Sequence, residues 1–141
     1  ITFNYDLATK FEGNTGPYIL YTYARANSIL EKGGYSIDNN GVNSIEDFNG
    51  AALCTQELAL LRDLYKFPEI VKEAALNTAP HLITNFAFEV ASKFNSFYAN
   101  CSVLDPEDEY VKKLRVSITA STAIVIRQAL RLLGIPVVDK M

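Results

Sequence analysis

The chain has 141 residues, 49% of them apolar and 21% charged, with a formal net charge of −3. That length fits one domain with a core of its own, and the apolar share excludes a disordered polar chain. No apolar run approaches the roughly 18 residues of a membrane-spanning helix.

Residues 1–12, with Ile1, Phe3, Tyr5 and Leu7 alternating, read as an extended lead-in without a strand partner. The chain opens at Ile1 rather than Met, which fits a fragment or a processed product. Gly13-Asn14-Thr15-Gly16 then forms a tight turn, and Pro17 suits the start of a helix because its missing N–H has no intrahelical partner there. This first helix is predicted to run to Lys32 and stop at Gly33-Gly34. Tyr18, Tyr21 and Arg25 share one of its faces, with Ile29 continuing it.

Residues 33–50 read as a surface loop, in which Ser44-Ile45-Glu46-Asp47 matches a capping box over one short turn. A second helix is predicted over residues 52–66, with Leu58, Leu61, Leu64 and Tyr65 as its apolar stripe, broken at Phe67-Pro68. Pro68 starts a third, ending near Leu76 and turning Ile70, Val71, Ala74 and Ala75 inward. A fourth runs from Pro80 to about Ala99 and buries Leu82, Ile83, Phe86, Val90, Phe94 and Phe97. The last has Asp105 as N-cap, Pro106 in its first turn, and Glu107, Asp108 and Glu109 against the positive end of the helix dipole. Leu114, Ile118, Ser121, Val125, Gln128 and Leu132 carry it to Gly134, about 28 residues or ~42 Å. Sustained period-two alternation is absent after residue 7, so the predicted fold is all-α: an antiparallel bundle of about five helices with one long C-terminal helix.

Candidates for catalysis are few. His81 is the only histidine and sits at a helix start, where it reads as solvent-facing. Asp105, Glu107, Asp108 and Glu109 are explained as helix-start residues rather than metal ligands. No Lys-Ser/Thr follows the glycine turn, so it is not a phosphate loop. Cys54 and Cys101 have neither metal-ligand spacing nor a second pair, and are expected to be buried reduced thiols; Asn100-Cys101-Ser102 matches a glycosylation sequon of the kind that occurs by chance. No catalytic residue and no metal site is predicted.

Charge and aromatics are more informative. Residues 1–110 hold seven Lys/Arg against fifteen Asp/Glu, net −8, whereas residues 111–141 hold six Lys/Arg and one acid, net +5. Such a basic segment is either a solvated helix face or an edge that meets phosphate, with Arg115, Arg127, Arg131 and Lys140 as the phosphate candidates. At the end of the fourth helix Tyr98 is either tucked beneath the following loop or a platform for an unstacked base, with Asn95 or Asn100 reading a base edge.

The string from Gly13 to Arg25 resembles the junction between the catalytic and C-terminal helical domains of arginyl-tRNA synthetases, commonly Gly-Asn-Thr-Gly-Pro-Tyr, an aliphatic residue, Gln-Tyr, a small residue, then His-Ala-Arg. Leu20 stands where that family usually has Gln and Tyr23 where it often has His. Glu57 to Arg62 with Phe67 to Val71 is similar to the family's leucine-rich helices, Pro80 to Tyr98 resembles its next helix, and Leu130 to Pro136 with Lys140-Met141 looks like its C-terminus. The resemblance implies an anticodon-binding helical bundle over residues 13–141, with residues 1–12 as the tail of a catalytic domain or a linker. It implies contact with the anticodon stem-loop of arginine tRNA through Asn95, Tyr98, Ile135 and Met141, and assigns Tyr18, Tyr21 and Arg25 to docking across the domain joint. Neither signature of the synthetase active site, His-Ile-Gly-His-like or Lys-Met-Ser-Lys-Ser-like, is present; ATP with Mg would serve the catalytic domain of the full-length enzyme, not this chain. The expected setting is cytoplasmic, without membrane or DNA partners. From another class, the alternative is a purely structural or protein-interaction bundle, in which the basic C-terminal helix pairs with an acidic partner.

Overall fold

The computed structural model describes residues 4–10, 13–38 and 53–140. Among them a short turn of helix, α1 (Tyr5–Ala8), precedes four long helices, α2 (Gly16–Lys32), α3 (Thr55–Leu76), α4 (His81–Asn100) and α5 (Glu109–Leu132), with no strand. The expected extended lead-in is therefore helical where it is described. Lacking a strand partner, this segment satisfies its backbone locally: both the N–H and the hydroxyl of Thr9 donate to the Tyr5 carbonyl at 3.1 Å. Ile1, Phe3 and the turn expected at Ser44–Asp47 lie outside the described residues.

α2 starts as its sequence dictates. The Thr15 hydroxyl accepts the Tyr18 N–H at 3.3 Å, and Pro17 sits in the first turn. α2 and α5 end alike, with a glycine in the left-handed region just beyond each helix, Gly34 (φ 77°) and Gly134 (φ 74°). The next N–H returns in each case to the helix, Tyr35 to the Leu30 carbonyl and Ile135 to the Leu130 carbonyl, both at 2.9 Å.

The helix expected to break at Phe67-Pro68 does not break, and the two predicted segments are one helix, α3. An interior proline forfeits a backbone hydrogen bond at a cost of about 3 kcal/mol. Packing offsets it, because Phe67 stacks on Phe86 of α4 at 5.6 Å between centroids. The α3 stripe is partly as expected, with Leu61, Leu64 and Ile70 packed against the core, but its centre is shifted. Leu58, Tyr65 and Ala75 face outward, while Glu57, Leu60, Asp63 and Ala74 are buried. Two acids on the inward face concealed its periodicity. Each has a cation opposite: Lys93 on Asp63, with Lys66 at 3.6 Å, and Arg115 on Glu57.

α4 buries Ile83, Phe86, Val90, Phe94 and Phe97 as expected. α5 begins later than expected, at Glu109, with Asp108 as N-cap accepting the Tyr110 N–H at 2.8 Å. Asp105 therefore lies in the connection ahead of α5 rather than at its cap, and that connection buries Cys101 and Val103. The 24 residues of α5 span about 36 Å. α5 packs against α2, α3 and α4 and is buried on most sides. Ala120, Ala123 and Ala129, each fully buried, allow that close approach.

α2 and α4 run parallel, since Thr15 and Gly16 border one cavity with Pro80 and His81 while Arg25 reaches Asn95. α3 and α5 run the other way. After Gly134 the tail turns back along α2, bringing Lys140 to 3.9 Å from Glu31.

Candidate functional site

Spacings of three and four residues put Tyr21, Arg25, Ser28 and Lys32 on one face of α2. Opposite them stand Tyr98, from the last turn of α4, and Lys140, from the returning tail. These residues, with Ala24 and Ile29, line an open groove of about 480 Å³. Three cations and two phenols thus meet in one depression, with Glu31 beside Lys140 as the nearby acid.

Arg25 is the centre of this groove. Its guanidinium carbon lies 4.6 Å from the ring centre of Tyr21 and 5.6 Å from that of Tyr98. Nη2 donates to the Tyr21 hydroxyl at 3.1 Å and Nη1 to the Asn95 Oδ1 at 2.5 Å. Asn95 in turn donates through Nδ2 to the hydroxyls of Tyr18 and Thr22, each at 3.0 Å. Tyr18 also meets Phe88 with ring centres 5.6 Å apart and planes tilted by 51°. The network holds the guanidinium in one place with its plane set.

Tyr98 combines support with exposure. Its ring is parallel to Phe94 of the core, 6.5 Å away, yet the residue is 44% exposed, and its hydroxyl makes no hydrogen bond among the described residues. An aromatic anchored beneath and open above presents a π-face to a planar ligand.

The predicted site residues separate by environment. Tyr98 and Lys140, expected at the RNA, line the groove together with Tyr21 and Arg25, expected at the domain joint, whereas Tyr18 reaches it only through Asn95. Asn95 meets the groove only through Arg25, and its amide is committed to Arg25, Tyr18 and Thr22. Asn100 is exposed and donates to the Ser96 carbonyl at 2.7 Å. Arg127, Arg131 and Ile135 border a second depression of about 480 Å³ with Gly134, Pro136 and Val137. There Arg127 lies 3.7 Å from Asp38, while Arg131 makes no ion pair among the described residues. Burial raises the Tyr23 phenol above its ordinary pKa, against the pull of neighbouring Arg127.

Arg115 faces inward. Its Nε donates to Glu57 at 2.6 Å and its Nη1 to the Ser102 carbonyl at 2.8 Å, leaving the side chain 17% exposed. Burial pushes the Glu57 carboxyl up, but the Arg115 hydrogen bond and the Cys54 N–H together outweigh it and hold the group below its usual value. Met141 lies outside the described residues. Lys32 was missed in sequence, although it continues the Tyr21–Arg25 face by seven residues and was readable from that spacing.

His81 is exposed, as expected. No helix among the described residues is long and apolar enough to cross a membrane.

Residues 19–141 match the family described as the DALR anticodon binding domain. The chain is 37% identical over 140 residues to an arginine–tRNA ligase of Idiomarina loihiensis, covering 99% of this chain and 23% of that protein. It is 40% identical to an arginine–tRNA ligase of Vibrio campbellii, with the same two coverages. Among solved structures it superimposes on Thermus thermophilus arginyl-tRNA synthetase with a TM-score of 0.81 at 35% identity, covering all of this chain and 24% of the other. On the Plasmodium falciparum arginyl-tRNA synthetase the TM-score is 0.83 at 27% identity, again over 100% of this chain and 24% of that one. The chain therefore spans about a quarter of the length of the proteins it matches.

Proposed function

The chain belongs to the DALR anticodon-binding domain family, and from that premise we propose that it grips the anticodon stem-loop of arginine tRNA in the groove between α2 and α4. It serves in this reading as the anticodon-binding module of an arginine–tRNA ligase acting in the cytoplasm. Residues 13–141 are the binding bundle and residues 1–12 the lead-in from a catalytic domain, which would use ATP with Mg. The observation that carries the reading is the convergence of Tyr98, Arg25 and Lys140, from three separate segments, on one open depression.

The chemistry divides by residue. An unstacked base stacks on Tyr98, where an aromatic platform contributes about 1–3 kcal/mol per base. Arg25, held by Asn95 and Tyr21, offers its remaining N–H groups to a base edge or a phosphate at a fixed angle. Lys32, Lys140, Arg127 and Arg131 supply charge along the path of the backbone, and Ile135 adds an apolar contact at the second depression. Asn100 borders the same end of α4 and is the outer candidate for a base edge. Arg115 acts from within, holding α3 to α5. Tyr18 and Asn95 position Arg25. The module orients RNA for chemistry performed elsewhere.

Titration with arginine tRNA and with an anticodon-substituted copy, at two salt concentrations, tests this. The expected result is binding that weakens with salt, by a log–log slope of about −0.7 per single-strand phosphate contact, and a further loss when the anticodon changes. Equal affinity for both RNAs would remove specific recognition.

A further inference from the structure

Cys54 and Cys101 are 47 positions apart in sequence, yet their sulfurs lie 3.3 Å apart, and both are free thiols. Cys54 is the N-cap of α3 and Cys101 the C-cap of α4, so the pair joins two helix ends. The surroundings hold them there. Fully buried Glu57 accepts the Cys54 N–H at 2.7 Å and Arg115 Nε at 2.6 Å, and Arg115 also donates to the carbonyl of Ser102, next to Cys101.

Both sulfurs and a Glu57 oxygen lie within 4.8 Å of one another, so a cation is one conceivable occupant. The chemistry disfavours it. Both Glu57 oxygens are already used, and the Arg115 guanidinium stands against a second positive charge. Sulfurs sharing a tetrahedral zinc at ~2.3 Å each sit roughly 3.8 Å apart, wider than the separation found. A covalent bond needs the opposite motion, about 1 Å of closure.

We propose that Cys54 and Cys101 form an oxidisable dithiol, a modification site at which hydrogen peroxide converts the two thiols into a reversible intramolecular disulfide. Cys54 is the more exposed sulfur and meets the oxidant. The Cys101 thiol is pushed up to about 11 by burial and by its hydrogen bond with Cys54, which keeps it protonated while Cys54 meets the oxidant; its part in the second step rests on the 3.3 Å separation of the sulfurs. The Cys54 thiolate attacks one peroxide oxygen, the O–O bond breaks, and the products are Cys54 sulfenic acid and water once the leaving hydroxide takes a proton. The Cys101 sulfur then displaces the sulfenic hydroxyl, which leaves as a second water with the Cys101 proton. Two thiols and one peroxide become one disulfide and two waters, the sulfurs losing two electrons and the peroxide gaining them. The product ties α3 to the end of α4, where Cys101 and Tyr98 border a common cavity of about 360 Å³. The chemistry stands independently of the RNA-binding reading.

The test is exposure of the folded chain to a small excess of hydrogen peroxide in the presence of dimedone, followed by intact-mass measurement, peptide mapping and thiol titration. The expected product has lost two hydrogens, carries a Cys54–Cys101 cross-link, takes up little dimedone, melts at a higher temperature and is restored by dithiothreitol. Cys101→Ser is expected to leave a sulfenic acid on Cys54 that dimedone traps. Should that variant fail to fold, the mass and map of the unsubstituted chain decide alone. Dimedone-labelled or over-oxidised Cys54 beside an intact Cys101 thiol in the unsubstituted chain would overturn the proposal, as would cross-links between chains. Stoichiometric Zn²⁺ binding with release of thiol protons would overturn it too, in favour of a metal site.

Discussion

Arg25 and Asn95, separated by 70 positions, are joined by a 2.5 Å hydrogen bond that locks α2 to α4 beside Tyr98. The bond makes the opening motif of the chain and the end of α4 parts of one groove. A cation whose hydrogen-bond partners and stacking rings are already in place meets a ligand with little ordering left to do.

Tyr98→Ala is expected to weaken binding of arginine tRNA by about 1–3 kcal/mol, the scale of one lost stacking platform. Circular dichroism melts of the same variant are expected to show a smaller change, because the residue is 44% exposed. Loss of several kcal/mol of stability would instead identify the ring as core.

Arg25→Lys keeps the charge but removes the planar fork that reaches Tyr21 and Asn95 together. Binding is expected to fall by roughly 1–2 kcal/mol while the salt dependence stays the same, since the site depends on geometry as well as charge. Anisotropy titrations across a salt series measure both quantities; wild-type affinity in the variant would show that charge alone is used.

Arg131→Ala and Lys140→Ala are each expected to reduce the salt slope by about 0.7, the loss of one single-strand phosphate contact, and to weaken matched and anticodon-substituted RNA equally. Selective loss toward one anticodon would make either residue a base reader.

Arg115→Met leaves Glu57 buried without its partner and is expected to destabilise the bundle by about 3–5 kcal/mol near neutral pH, read by urea unfolding. In the unsubstituted chain the Glu57 carboxyl is held below its ordinary 4.5, so the unfolded state binds its proton more readily. The stability from this group is complete above pH 4.5 and is lost as pH falls through the lower folded value. The double variant Glu57→Gln with Arg115→Met is expected to lose that acid-limb dependence; an unchanged acid limb would assign it to other carboxylates.

Some helix ends were legible in the sequence, Pro17 at the start of α2 and Gly34 and Gly134 just beyond α2 and α5, whereas Asp105 and Pro106 placed the start of α5 too early. The stripe of α4 was equally plain, because its inward residues are all apolar. α3 was not, since its buried face includes Glu57 and Asp63, and only their partners on other helices make that burial tolerable. Pro68 read as a break because the compensating Phe67–Phe86 contact lies 19 residues further along the chain. For the site, the face of Tyr21 and Arg25 was readable by spacing. That Tyr98 and Lys140 meet it depends on the parallel course of α2 and α4 and on the returning tail, which no local pattern encodes. Charge alone made Arg115 resemble Arg131, and burial separates them.

The uneven charge of the chain has a kinetic consequence. Acids outnumber cations over residues 1–110, yet Arg25 and Lys32 of that stretch join Lys140 of the basic tail at the groove, so positive charge is gathered there within a chain of net negative charge. For the RNA proposed to bind there, a local cluster of cations favours approach toward the groove, and the effect is expected to fade as salt rises.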